Sequence, residues 1–222
     1  MYRRIVRCLF LAALPVLLLP FAHAGAEQTH PGYLRGFADG TLRPEEPLTR
    51  AQLVCALSRL ADGALFAERV SFADLPVSHW AYPAAAQLCG AGVLPFGADG
   101  WFRPAQSVSW YELSAVFDAL AASEAGREAF GALTRGWNEK TVLPAEADAL
   151  ARDTPLSRAE FARVVNALLG RVPDANDAQL RAASWFSDNR DTDAWYYAAL
   201  IEASVSHTCR FSNGKEVWSA IG

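Results

Sequence analysis

Asp39-Gly40 is followed by Thr41-Leu42-Arg43-Pro44, and Asp99-Gly100 by Trp101-Phe102-Arg103-Pro104. Five residues past each of these prolines stands a hydroxyl residue, Thr49 or Ser109. Ser157 holds the same place after Pro155-Leu156 that Thr49 holds after Pro47-Leu48. Such internal repetition narrows the fold to units that cannot bury their apolar faces alone and must pack on one another.

Each hydroxyl opens the same local device. Thr49-x-x-Gln52, Ser109-x-x-Glu112 and Ser157-x-x-Glu160 are capping boxes, in which the hydroxyl takes a free N–H of the first turn and the Glu or Gln reaches back. Helically spaced apolar residues follow: Leu53, Ala56, Leu57, Leu60; Leu113, Val116, Phe117, Leu120; and Phe161, Val164, Val165, Leu168. The Asp-Gly turn reverses the chain, the proline keeps it extended, and the box starts a helix with one apolar face.

A second element also repeats. Segments 72–93 and 186–207 both open Phe-x-Asp, reach a Trp (Trp80 or Trp195) and run into an Ala-rich helix, where Pro83 falls in the first turn. A third copy is degraded: it keeps a helical stretch ending in Gly136-Trp137 but has neither Phe-x-Asp nor the Asp-Gly turn. This divides residues 25–222 into a half copy (30–61), a full copy (72–121), a degenerate copy (124–170) and a terminal half copy (186–218). The first half has no preceding Trp helix and the last has no following capped helix. Pairing of the two is expected to close the unit and leave the chain ends adjacent.

Residues 1–24 read as a secretory signal peptide. Arg3, Arg4 and Arg7 precede an apolar run from Cys8 to Phe21, and Ala22-His23-Ala24 is a small-x-small cleavage site. Pro15 and Pro20 interrupt a run that is short for a bilayer span, and no second stretch approaches membrane length. The expectation is an exported, soluble chain starting at Gly25. Three of the 20 basic residues lie in the leader, and the 17 that remain face 24 acidic ones, a net charge of −7. That sign disfavours a nucleic-acid partner.

Three cysteines beyond the leader, Cys55, Cys89 and Cys209, are not a disulfide scaffold; a Cys55–Cys89 bridge stays open beside the commoner case of buried free thiols. His30, His79 and His207 are scattered without metal-ligand spacing, so no metal is expected. The acidic run 188–193 lacks the residue order and distal Glu of a calcium loop. Asn213-Gly214, between Arg210-Phe211 and Val217-Trp218, suits a small hairpin. Nor do any serine, cysteine or paired-carboxylate motifs mark a catalytic centre.

Taken together, "GFADGTLRPEEPLTRAQL", "FADLPVSHWAY…GADGWFRP" and "PLSRAEFARVVNALLGRVPD" resemble the S-layer homology domain family, matching its segments in order, with residues 195–218 similar to a shortened terminal copy. The resemblance implies an all-α fold: three helix–loop–helix repeats about a pseudo-threefold axis, with a central helical bundle and three prongs. It also implies non-covalent attachment of exported proteins to bacterial wall polysaccharide, often pyruvylated, without enzymatic activity or cofactor. Carried over residue by residue, it assigns sugar contact to Arg50 and Arg158, to Asp74 and Asp188, and to Trp80 and Trp195. The second copy has Trp110 in place of the arginine.

The physical chemistry of such a site is coherent. Arg50 and Arg158 fall at the first helical position, where free N–H groups and the macrodipole favour an anion, and a guanidinium adds a bidentate contact to a carboxylate. Plainer roles stand beside these: Trp80 and Trp195 as core wedges, Asp74 and Asp188 as helix caps, and the arginines as solvated side chains. The alternative function is a structural or protein-interaction domain of the cell envelope that has lost sugar binding.

Overall fold

The structure, a computed structural model, describes residues 26–61, 65, 69–139 and 153–222. The signal-peptide reading and part of the degenerate copy lie outside these residues. Three extended tripeptides sit at the centre, each immediately before a capped helix. Leu48 donates its N–H to the Leu156 carbonyl, Leu156 to Val108, and Val108 back to Leu48, each at 2.8 Å. All three side chains are fully buried. This closed ring of hydrogen bonds is the physical form of the repetition in the sequence.

The helices that leave the ring are α1 (Arg50–Leu60), α3 (Trp110–Ala122) and α6 (Arg158–Leu168). All three capping boxes form, with both the hydroxyl and the Gln or Glu bond present. Each capped helix packs against one that begins a later copy: α1 on α2 (Tyr82–Gly90), α3 on α5 (Gly131–Asn138), and α6 on α8 (Tyr197–Ser204). Two short helices, α4 (Glu124–Ala129) and α7 (Ala178–Ala182), complete the helices among the described residues. The repeated apolar positions line one continuous core, with Leu53, Leu57, Leu113, Phe117, Phe161 and Val165 almost wholly buried.

The Asp-Gly turns form as read. Gly40 and Gly100 take φ of +78° and +82°, where a side chain would be strained. Arg43 and Arg103 also hold positive φ, 51° and 57°. The symmetry of these outliers shows that both loops adopt one conformation.

The all-α expectation is corrected. Among the described residues a three-stranded antiparallel sheet accompanies the helices, in the order β1 (Gln28–His30), β2 (His207–Ser212), β3 (Lys215–Ile221). The fold is therefore mixed. Asn213 and Gly214, at φ of 53° and 77°, turn the hairpin so that Ser212 faces Lys215 and Arg210 faces Val217. The hairpin's other edge does not stay open: β1 pairs with β2 over Gln28–His30.

The half copies at the two ends of the chain meet in space. Tyr33 and Leu34 donate their N–H groups to the Ala203 carbonyl, and Ser187 donates to Gly40 as Ala73 donates to Gly100. Residues 186–222 thus supply β1's partner strand and part of the first copy's loop support. Deleting 186–222 is expected to lower the melting temperature of the entire remainder, followed by circular dichroism; an unchanged transition would mean independent modules.

Candidate functional site

The two aspartates of Phe-x-Asp do the same work. Asp74 accepts hydrogen bonds from the N–H groups of Phe102 (2.8 Å) and Arg103 (2.7 Å). Asp188 accepts them from Leu42 (2.8 Å) and Arg43 (2.7 Å). Neither caps its helix: α2 and α8 begin without a side-chain cap. Instead each carboxylate grips the positive-φ arginine's loop, in its own copy for Asp74 and across the joined chain ends for Asp188. Outside the loop, Arg103 pairs with Asp99 and Arg43 pairs with Asp39, the latter at 3.0 Å. Hydrogen bonds draw the Asp39 and Asp99 carboxyls down to about 2, from the Thr41 hydroxyl first and then Arg43 at Asp39, and from Arg103 first at Asp99.

The repeat arginines also reach into a neighbouring copy. Arg50 donates to the Phe102 carbonyl (3.1 Å), pairs with Glu112, and lies 4.6 Å from the centroid of Phe96. Arg158 donates to the carbonyls of Leu42 (2.6 Å) and Arg35 (2.8 Å) and lies 4.8 Å from the centroid of Phe37. Its side chain is 1% exposed, and burial pulls its pKa down to about 10. The amide groups at these helix starts are engaged as well. Arg50 and Ala51 donate to Gln106 and Pro104, and Arg158 and Ala159 donate to Glu46 and Pro44. The first-turn N–H groups are therefore not open to an anion, and any anion must meet side chains. Trp110, at the corresponding place, is buried and its N–H meets the Thr154 carbonyl.

Trp80 and Trp195 are not core wedges. They are 61% and 54% exposed, Trp80 stacked on His79 and Trp195 with the Arg163 guanidinium 4.8 Å from its ring centroid. Trp80 and Arg158 come together at one groove of about 600 Å³. Its other walls are the loop Leu34–Ala38 and the α1 residues Gln52, Cys55 and Arg59. Arg35, Arg59 and Arg158 give this groove three guanidinium groups, and no carboxylate among the described residues lines it. Arg59, half-buried, has its pKa lowered by burial and by the neighbouring Arg35 charge. Arg35 and Arg59 escaped the sequence reading because they fall outside every repeated motif. Arg50, Asp74, Asp188 and Trp195 do not line it.

Replacing Asp74 or Asp188 with Ala leaves two backbone N–H groups to find water. Each change is expected to cost about 1–2 kcal/mol in urea unfolding, with Asp188, the more exposed, at the low end. Equal stability of both variants and the parent would contradict the loop-gripping role.

The S-layer homology domain matches residues 32–54, the first turn and the start of α1. Cell surface glycoprotein 1 of Acetivibrio thermocellus is 36% identical over 90 residues, 39% of this chain and 4% of that protein. The cellulosome-anchoring protein of the same organism is 26% identical over 215 residues, 87% of this chain and 47% of that protein. The chain thus spans less than half the length of either relative. Among the described residues no helix is long and apolar enough to cross a membrane. What the comparisons place in this chain is thus an S-layer homology match at residues 32–54, with similarity to two cell-surface proteins beyond it.

Proposed function

We propose that this chain works at the bacterial cell surface, attaching an exported protein to the wall by holding an acidic polysaccharide in the Trp80–Arg158 groove. The observation that carries this reading is the charge of the groove. A chain with more acidic than basic residues gathers three guanidinium groups along one cleft and keeps carboxylates out of the lining. Such an arrangement attracts anions locally against the field of the whole molecule. Trp80 adds an exposed aromatic face on which a sugar ring can stack.

A pyruvate ketal on a wall sugar fits this chemistry, since its carboxylate is a planar anion that a guanidinium meets with two hydrogen bonds. Similarity to a cell-surface glycoprotein and to an anchoring protein supports the surface role. In this reading Arg158 sets the floor of the groove, Asp74 and Asp188 hold the loops in shape, and no bond-breaking step is required. Trp195 beside Arg163 offers a second, smaller sugar platform. The engagement of Arg50 by Glu112 and Phe102 favours a different role for that copy: a brace between copies without ligand, the structural alternative.

The test is calorimetric titration of purified wall polysaccharide, before and after chemical removal of its pyruvate. Arg35→Gln and Trp80→Ala change exposed side chains and should leave the circular dichroism spectrum intact. Loss of the Arg35 charge is expected to weaken binding by about 1.5–3 kcal/mol, the range for hydrogen bonds to charged groups. Trp80→Ala should weaken the parent's binding to both polymers, while Arg35→Gln should matter only for the pyruvylated one. Variants that bind as tightly as the parent would replace this reading with the structural one.

A further inference from the structure

The sheet and α8 enclose a pocket of ionisable side chains drawn from both ends of the chain. His30 comes from β1, His207 and Cys209 from β2, and Glu216 from β3. All four are buried, and one donor atom from each lies within 4.8 Å of the others. We propose that His30, His207, Cys209 and Glu216 bind a zinc ion in a closed site that fastens β1 to the C-terminal hairpin.

Three of the six ligand spacings are close to those of a four-coordinate ion, and none exceeds 4.8 Å. Zinc–nitrogen and zinc–oxygen bonds near 2.0–2.1 Å and a zinc–sulfur bond near 2.3 Å put tetrahedral ligand atoms about 3.3–3.6 Å apart. Here His30 Nδ1 stands 3.6 Å from Cys209 Sγ and 3.5 Å from Glu216 Oε2, and His207 Nε2 stands 3.8 Å from Glu216 Oε2. Two imidazoles, a thiolate and a carboxylate are a donor set suited to zinc, and four protein ligands leave no open position.

The orientation of the groups points the same way. His207 Nδ1 donates to the Val205 carbonyl oxygen at 2.9 Å, so Nε2 is the ring nitrogen that faces the pocket and is placed to ligate. Stacking on Trp218, 3.6 Å between ring centroids, fixes that ring. Yet His207 Nε2, Glu216 Oε2 and Glu202 Oε2 are fully buried with no aligned hydrogen bond, although Glu202 Oε2 approaches His207 Nε2 to 3.1 Å. Buried polar atoms that converge in this way are unfavourable unless a positive charge, a metal ion or a proton, stands among them. Glu202 brings a second carboxylate to the same atoms, with Oε1 3.0 Å from His30 Nδ1 and 3.4 Å from Arg171, so the ion would take the place of the proton His30 shares with it. With Cys209 as thiolate, three anionic groups face one guanidinium, and a divalent cation brings the pocket to neutrality.

The site also accounts for a thiol buried in the sheet rather than in a helix. Binding would release the Cys209 proton and couple metal to folding, because the ligands converge only when the chain ends have met. This proposal is independent of the polysaccharide reading.

The experiment uses the intact chain, unfolded in chelator, refolded without metal, and titrated with cobalt(II). Expected are the thiolate-to-cobalt charge-transfer band and the intense visible absorption of a four-coordinate ion, saturating at one ion per chain and bleached by zinc. Zinc in excess of its dissociation constant should raise the melting temperature by about 5–10 °C over the metal-free protein. Cys209→Ser should abolish the charge-transfer band, and His207→Gln the four-coordinate spectrum. If either variant fails to fold, the parent's cobalt spectrum and zinc-dependent melting decide the matter. A parent that shows only the weak spectrum of aqueous cobalt and melts identically with and without zinc overturns the proposal, the pocket then being held by protons on its histidines. A charge-transfer band that survives Cys209→Ser overturns it too.

Discussion

The ring formed by Leu48, Val108 and Leu156 is the contact on which the rest of the molecule hangs. Each residue gives its N–H to one neighbour and its carbonyl to the other, so no copy can be satisfied by a single partner. A hydrogen bond of this kind adds only about 1 kcal/mol net, but leaving a buried donor or acceptor without a partner costs more. The ring therefore acts less as a source of stability than as a condition: all three extended segments must be present together. From it the capped helices diverge with their first amide groups already taken by neighbouring loops. The two half copies at the chain ends complete the same arrangement, joined through Ala203, Gly40 and Asp188.

Local features of this plan were legible in the sequence, and features built across copies were not. The capping boxes involve residues three apart, and all three form. Asn213-Gly214 announced its hairpin, because positive φ at both positions selects that turn. By contrast β1 has three residues with no alternation to reveal it, and its existence follows from the hairpin edge it covers. That omission is why an all-α reading failed. The arginines at the helix starts were placed correctly in sequence, but their partners lie 52 and 116 residues away, as carbonyls of another copy's loop. Spacing arguments reach a few residues; His30 and Glu216 meet only through the fold.

The same distinction explains how one motif serves two ends. In the Asp74 and Asp188 positions a carboxylate once read as a ligand or a cap holds a strained loop from the inside. In the Arg158 position a guanidinium braces the loop with two carbonyl bonds and still forms the floor of a groove. Arg50 faces Glu112 instead, so its charge is balanced within the protein. Copies that share a sequence pattern thus differ in what meets the arginine: the Glu112 carboxylate at Arg50, and two backbone carbonyls at Arg158. Exposed Trp80 and Trp195 mark where the apolar pattern is interrupted at the surface.

Native-state hydrogen exchange at the amides of Leu48, Val108 and Leu156 tests the central claim most directly. If the ring closes only when all copies are assembled, the three amides open with one free energy, equal to that of global unfolding and equally lowered by denaturant. An amide that exchanges through a smaller, local opening while the other two stay protected would show that the copies are held separately, and that the ring follows from the fold without governing it.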